Sequence, residues 1–124
     1  MAEASIGSRS FVAGGVIPQY ARVKLSAANT VVVSVATDKA AYLGSALTGA
    51  AATGDLVTVA LKGGHRTFKC IAAEAMLVNA VIYSADDGEV KDTSNGSPIG
   101  TALEASTADQ DIIECVLYDQ VAVV

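Results

Sequence analysis

The sequence predicts an all-β fold, a small barrel or sandwich with at most one short helix. Apolar and polar residues alternate at period two through most of its 124 residues, which places successive side chains on opposite faces of strands. Gly, Asp and Asn punctuate the runs often, as turns between short strands require. Helical spacing is sustained only over Ala73–Leu77, enough for about one turn.

Met1 to Gln19 holds Gly7, Gly14, Gly15 and Pro18 with serines between them and has no sustained period. It reads as an extended N-terminal arm, residues 1–19, preceding a single β domain, residues 20–124. Ser10-Phe11-Val12-Ala13 is a strand-capable island within it. An island of this kind either pairs with a partner's sheet edge or folds back on its own domain. From Tyr20, Ala21, Val23 and Leu25 alternate with Arg22 and Lys24, giving an inward face and a wet one. After a turn at Ser26–Asn29, the Val-rich run Thr30–Ala36 reads as a central strand, since Val32 is apolar as well as Val31, Val33 and Val35.

Tyr42–Leu47 and Asp55–Lys62 are the next strands, and Gly63-Gly64 makes a hairpin turn to Thr67–Ala72. There Phe68, Cys70 and Ala72 share one face. Asn79, which tolerates the left-handed region, precedes the strand Ala80–Ser84. Asp87-Gly88, a strong hairpin signal, joins that strand to Glu89–Lys91. Ile99–Ala105 and Ile112–Leu117 are two further strands around an acidic connection, with Ile113, Cys115 and Leu117 inward and Glu104 and Glu114 outward. The apolar tail Val121–Val124 is expected to pair with a sheet or lie between subunits. This makes about eight or nine strands, with no internal repeat of fixed length visible.

Hydrophobic residues make up 52% of the chain but aromatic ones only 5%. The core is therefore built mainly of Ala and Val, which bury little area each, and self-association is one way to bury more. The net charge of −5 is uneven: residues 1–37 carry Arg9, Arg22 and Lys24 against Glu3, and residues 38–124 carry five bases against twelve acids. An acidic balance of this kind argues against nucleic acid as partner. No run of apolar residues is long enough to span a bilayer, and no secretory signal is visible, so synthesis in the cytosol without membrane insertion is expected.

No catalytic constellation is present. His65 is the only histidine, and no nucleophile-elbow motif accompanies it, so it reads as an exposed turn residue. Cys70 and Cys115 fall on inward faces and read as small buried hydrophobes. Asp86, Asp87, Glu89 and Asp92 have neither the spacing nor the closing Glu of a calcium loop, and Gly44 and Gly49 are not framed as a phosphate loop. No metal, cofactor or catalytic residue is expected.

The order of pieces, Gly54-Asp55 into a strand, Ala80–Tyr83, the Asp87–Val90 hairpin, then Ile99–Ala105 and Ile112–Leu117, resembles the small decoration, or cement, proteins of tailed-bacteriophage heads over about Arg22–Tyr118. Asn79 and Gln110 stand where that family often has glycine. The resemblance implies a β-tulip-like domain that assembles as a homotrimer on the outside of the expanded capsid, at three-fold and quasi-three-fold positions, with the major capsid protein as partner. It also implies an arm that orders on the shell by adding a strand. By position that arm maps onto Ser8–Val16, with Arg9, Ser10, Phe11, Val12 and Ala13 as the capsid-contacting residues. A head-fibre base or adhesin-like module is the alternative that the residues leave open, and an enzyme is not expected.

Overall fold

Alternation becomes strand nearly everywhere it was expected. The structure, a computed structural model that describes residues 7–39, 41–62 and 66–118, contains ten strands: β1 (Ser8–Ala13), β2 (Arg22–Ala27), β3 (Thr30–Val33), β4 (Gly44–Ala46), β5 (Leu56–Leu61), β6 (Phe68–Ile71), β7 (Val81–Ser84), β8 (Val90–Lys91), β9 (Gly100–Ala102) and β10 (Ile112–Leu117). The only helical element among the described residues is a three-residue 3₁₀ turn, Asp86–Gly88, which forms the β7–β8 hairpin. The helical turn expected over Ala73–Leu77 is instead bends around an isolated antiparallel bridge between Met76 and Ser106. One turn has too few internal hydrogen bonds to hold itself against pairing with a neighbouring segment. The Gly63-Gly64 turn, His65 and the Val121–Val124 tail lie outside the described residues.

The strands build two units of five. In the first, β1 pairs antiparallel with β5 and parallel with β3, and with β2 and β4 this closes a barrel. Phe11, Ala13, Val23, Val31, Ala46, Val57 and Val59 fill it. In the second, β6, β10, β9, β7 and β8 form a curled half-barrel around Phe68, Cys70, Ile82, Val90, Ile113, Cys115 and Leu117. Its closing contact is reduced to one parallel bridge, Ala72 to Val90.

This arrangement corrects one expectation and adds one finding. The described part of the segment expected to stand off as an arm includes β1, a barrel strand hydrogen-bonded on both edges, with Phe11 and Ala13 buried. Its serines and glycines carry no period because β1 turns only Phe11 and Ala13 into the core, and Ile17 is buried separately beyond the strand's end. The finding is that the two units repeat one fold, with spacings between equivalent residues that differ along the chain, so that no repeat of fixed length exists in the sequence.

The backbone pattern of the first unit recurs in the second. Ile17 and Ala50 exchange backbone hydrogen bonds, and Met76 and Ser106 do the same. Tyr20 N–H donates to Ala46 O as Asn79 N–H does to Ala102 O, and Leu47 N–H donates to Thr58 O as Leu103 N–H does to Glu114 O. The register Gly44–Leu61, Ser45–Ala60 in one unit is Gly100–Leu117, Thr101–Val116 in the other. Tyr20, Gly54, Asn79 and Gln110, each two residues before a strand, all have positive φ, at 72°, 96°, 69° and 75°. The strict feature is the backbone conformation, and four different residue types fill it, which hides the repeat from the sequence.

Matched acids cap the matched turns. Asp55 Oδ2 accepts from the Ala51 and Ala52 amides, and Asp111 Oδ2 accepts from the Thr107 and Ala108 amides and the Thr107 hydroxyl. These bonds hold the Asp111 carboxyl below its ordinary value, the Thr107 amide and hydroxyl contributing most. A depressed carboxyl contributes stability above its unfolded pKa and loses it as pH falls through the folded one. Asp111→Ala should therefore lower the melting temperature at neutral pH, and the gap to wild type should close as the pH is taken below the usual aspartate range. A gap independent of pH would show that the carboxylate does not cap the turn.

Candidate functional site

Of the five residues expected to contact a partner, the structure brings Arg9, Ser10 and Val12 to the surface and turns Phe11 and Ala13 into the barrel. Arg9 lies over the Phe11 ring, 4.6 Å from its centroid, and donates to Asn29 Oδ1 on the β2–β3 turn. β5 engages one edge of β1 from Ser8 to Val12, and β3 engages the other at Val12 and Ala13, so strand addition to a partner is not open to Val12–Ala13 in this conformation. What remains for contact is the outer row of β1 and the neighbouring β2–β3 turn, where Leu25 is 52% exposed. Leu25 has the inward phase of β2 but extends past the end of the barrel.

The other surface that the fold singles out was missed from the sequence. On the outside of the first barrel, Ala60, Ser45 and Arg22 stand side by side on β5, β4 and β2. Alternation assigns Arg22 to water, yet it is fully buried, as are Ser45 and Ala60, because the second unit sits on this wall. Arg22 Nη2 donates to Ala85 O at 2.8 Å and its Nε to Glu89 O at 3.1 Å, both on the β7–β8 hairpin. Ser45 Oγ donates to Lys69 O on β6 at 2.7 Å. The guanidinium also lies 5.1 Å from the centroid of the buried Tyr42 ring. Burial draws the Arg22 pKa below its ordinary value and pushes that of Tyr42 up. No sequence signal marks Arg22, since only the docking of the second unit distinguishes it from Lys24.

The remaining candidates have the geometry of structure rather than chemistry. Cys70 and Cys115 are buried on adjacent strands with their sulfurs 2.6 Å apart. The hydrogen bond with Cys70, followed by burial, pushes the Cys115 thiol up and so away from a reactive thiolate. In the acidic hairpin, Asp86 accepts from the Ala36 amide and Glu89 from Gln110. Glu74 accepts from the Asp92 and Thr93 amides and the Thr93 hydroxyl. Among the described residues no three His, Cys, Asp or Glu side chains converge as a metal set. Ala75, Met76, Leu77, Asp92 and Ser106 line a shallow surface depression. No helix among the described residues is long and apolar enough to cross a membrane.

The fold and its surfaces define a double β-barrel protein, a closed unit and an open one in tandem. No protein-family model and no curated protein matches the chain. Among solved structures, the chain is similar to the N base of the head fibre protein gp8.5 of bacteriophage phi29, with a TM-score of 0.69 and 16% identity, over 91% of this chain and 94% of that one. At that identity the likeness is one of fold.

Proposed function

We propose that this chain is a structural protein of a bacteriophage virion, carried on the outside of the head, with no enzymatic activity. The observation that carries this reading is the near end-to-end match in fold to a head-fibre base. It is supported by the turn and strand order that resembles capsid decoration proteins. In the decoration reading the chain is made in the host cytosol and binds the major capsid protein as a homotrimer at three-fold and quasi-three-fold sites. It then stabilises the expanded shell by binding that state alone, so that occupancy shifts the equilibrium away from rupture. Three copies acting together make weak single contacts effective. A second reading, the base of a head fibre, is favoured by the fold likeness to the phi29 head-fibre base; it shares the capsid partner and differs in carrying a distal fibre.

Incubating the purified protein with expanded, undecorated heads of the cognate phage should give saturable binding, followed by resistance of the decorated heads to thermal rupture. Saturable binding without a change in rupture temperature would favour the fibre-base reading. No saturable binding would overturn both.

A further inference from the structure

The internal repeat shows what covers the wall of one unit and leaves the same wall of the other open. In the first barrel the row Ala60, Ser45, Arg22 is 0%, 1% and 0% exposed beneath the second unit. The equivalent row of the second unit is Val116, Thr101, Val81, held in the same cross-strand register. Here Val116 is 36% and Val81 44% exposed, and Leu103 on the same face is 40% exposed. Tyr118, also partly exposed, extends the row by a hydrogen bond to Thr101 Oγ1 at 2.9 Å. The covered row holds the polar Ser45 and Arg22 where the open row holds Thr101 and the exposed Val81, with Val116 at the position of Ala60 and Glu114 two residues along the same face. The open row is therefore the more apolar one, the reverse of what a permanently solvated sheet face requires.

We infer that a second copy of this chain docks on this face through its own first barrel, repeating between molecules the contact that joins the two units within one. The intramolecular cover is supplied by the start of β6 and the β7–β8 hairpin, through Lys69, Ala85 and Glu89. The corresponding parts of the first barrel are the start of β1 and the β2–β3 hairpin. Ser10 stands at the position of Lys69, and beside it these parts present Arg9 and the exposed Leu25, Ala27 and Ala28, a basic and apolar end suited to a wall whose apolar row lies beside Glu114 and Glu104.

Charge selects the same pairing. Residues 7–62 carry five bases against two acids, and residues 66–118 carry three bases against nine acids. First unit on second unit joins opposite signs, whereas second unit on second unit sets acid against acid. The contact is therefore heterologous, with a donor end and an acceptor face on every copy, and it closes into a ring or continues as a filament. This inference rests on the proposal above only for a closed ring of three, and it concerns which surfaces meet.

The test is the solution mass by sedimentation and light scattering of three proteins: wild type, Val116→Arg on the wall and Leu25→Asp on the hairpin. Both substitutions are at exposed positions, and a wild-type circular dichroism spectrum with a cooperative melt will show that the variants fold. Wild type should sediment as more than two copies, and each variant alone should be monomeric, its association weakened about tenfold or more. An equimolar mixture of the two variants should form a one-to-one dimer and nothing larger, because it contains one intact wall and one intact hairpin. A monomeric wild type, an unchanged mass for either variant, or no dimer in the mixture would overturn the inference. Binding to phage heads is a separate readout: a ring that ignores heads overturns the proposed function and leaves this contact standing.

Discussion

Deleting residues 1–13 should abolish the cooperative unfolding transition of the first barrel. The deletion removes β1, which pairs with β5 over five residues and closes the barrel through Val12–Thr30 and Ala13–Val31. Phe11 and Ala13 leave the core with it. Truncating a buried Phe alone costs about 3–5 kcal/mol. Opening two strand edges adds unpaired backbone groups at about 1–3 kcal/mol for each that stays buried. Together these reach the whole stability of an ordinary domain, about 5–15 kcal/mol. The measurement is a thermal melt followed by circular dichroism, with Phe11→Ala as a milder variant expected to stay folded but melt lower. A truncated protein that melts cooperatively within a few degrees of wild type would mean that Ser8–Ala13 is dispensable to the core and free to act elsewhere.

That experiment bears on the strand whose role the sequence misplaces. Alternation in Val57–Leu61, Phe68–Ile71 and Ile112–Leu117 is strong because both faces are decided locally, an inward Val, Cys or Ile against an outward Thr, Lys or Glu. The Asp87-Gly88 hairpin is legible for a similar reason, since Asp87 and Gly88 have φ of 60° and 71°, the conformation that this dipeptide favours. For β1 the deciding partners, β3 and β5, are far away in sequence, and a strand with two inward side chains looks like a linker. The burial of Arg22 is hidden in the same way, because it depends on a hairpin more than sixty residues later. The repeat escapes a reading by residue type because Tyr20 and Asn79, or Gly54 and Gln110, share a dihedral angle and little else.

The surfaces for contact follow the same division. Residues nominated by position, Arg9 to Ala13, fall on one strand, and alternation sorts them once the strand is known: Ser10 and Val12 outward, Phe11 and Ala13 inward, with Arg9 on the inward phase but exposed over the Phe11 ring. The open wall of the second unit has no local signature. Val81, Thr101 and Val116 come from three strands spread over 36 positions of the chain, and their exposure is informative only beside the buried Arg22, Ser45 and Ala60.

Gly44→Ala and Gly100→Ala should each destabilise the protein by about 3 kcal/mol or more, the second largest effects expected. A Cβ at position 44 would lie 1.9 Å from Ala60 O, and one at position 100 would lie 1.9 Å from Val116 O. Both obstacles are backbone of the neighbouring strand, so no rotamer change relieves them, and the strand pair has to part by more than about 1 Å, beyond what well-packed interiors absorb without loss. Parting breaks the ladders Gly44–Leu61 and Gly100–Leu117. It also disturbs the outward rows that start beside them, the covered one in the first unit and the open one in the second. The control is Gly15→Ala, where a Cβ meets nothing within 4 Å and the cost should stay within about 0.5 kcal/mol. Chemical denaturation of the three variants distinguishes these outcomes. If Gly44→Ala and Gly100→Ala are as mild as Gly15→Ala, the close strand approach is not a requirement of the fold. If only one is severe, the two units do not depend on the same packing device, although they share one topology.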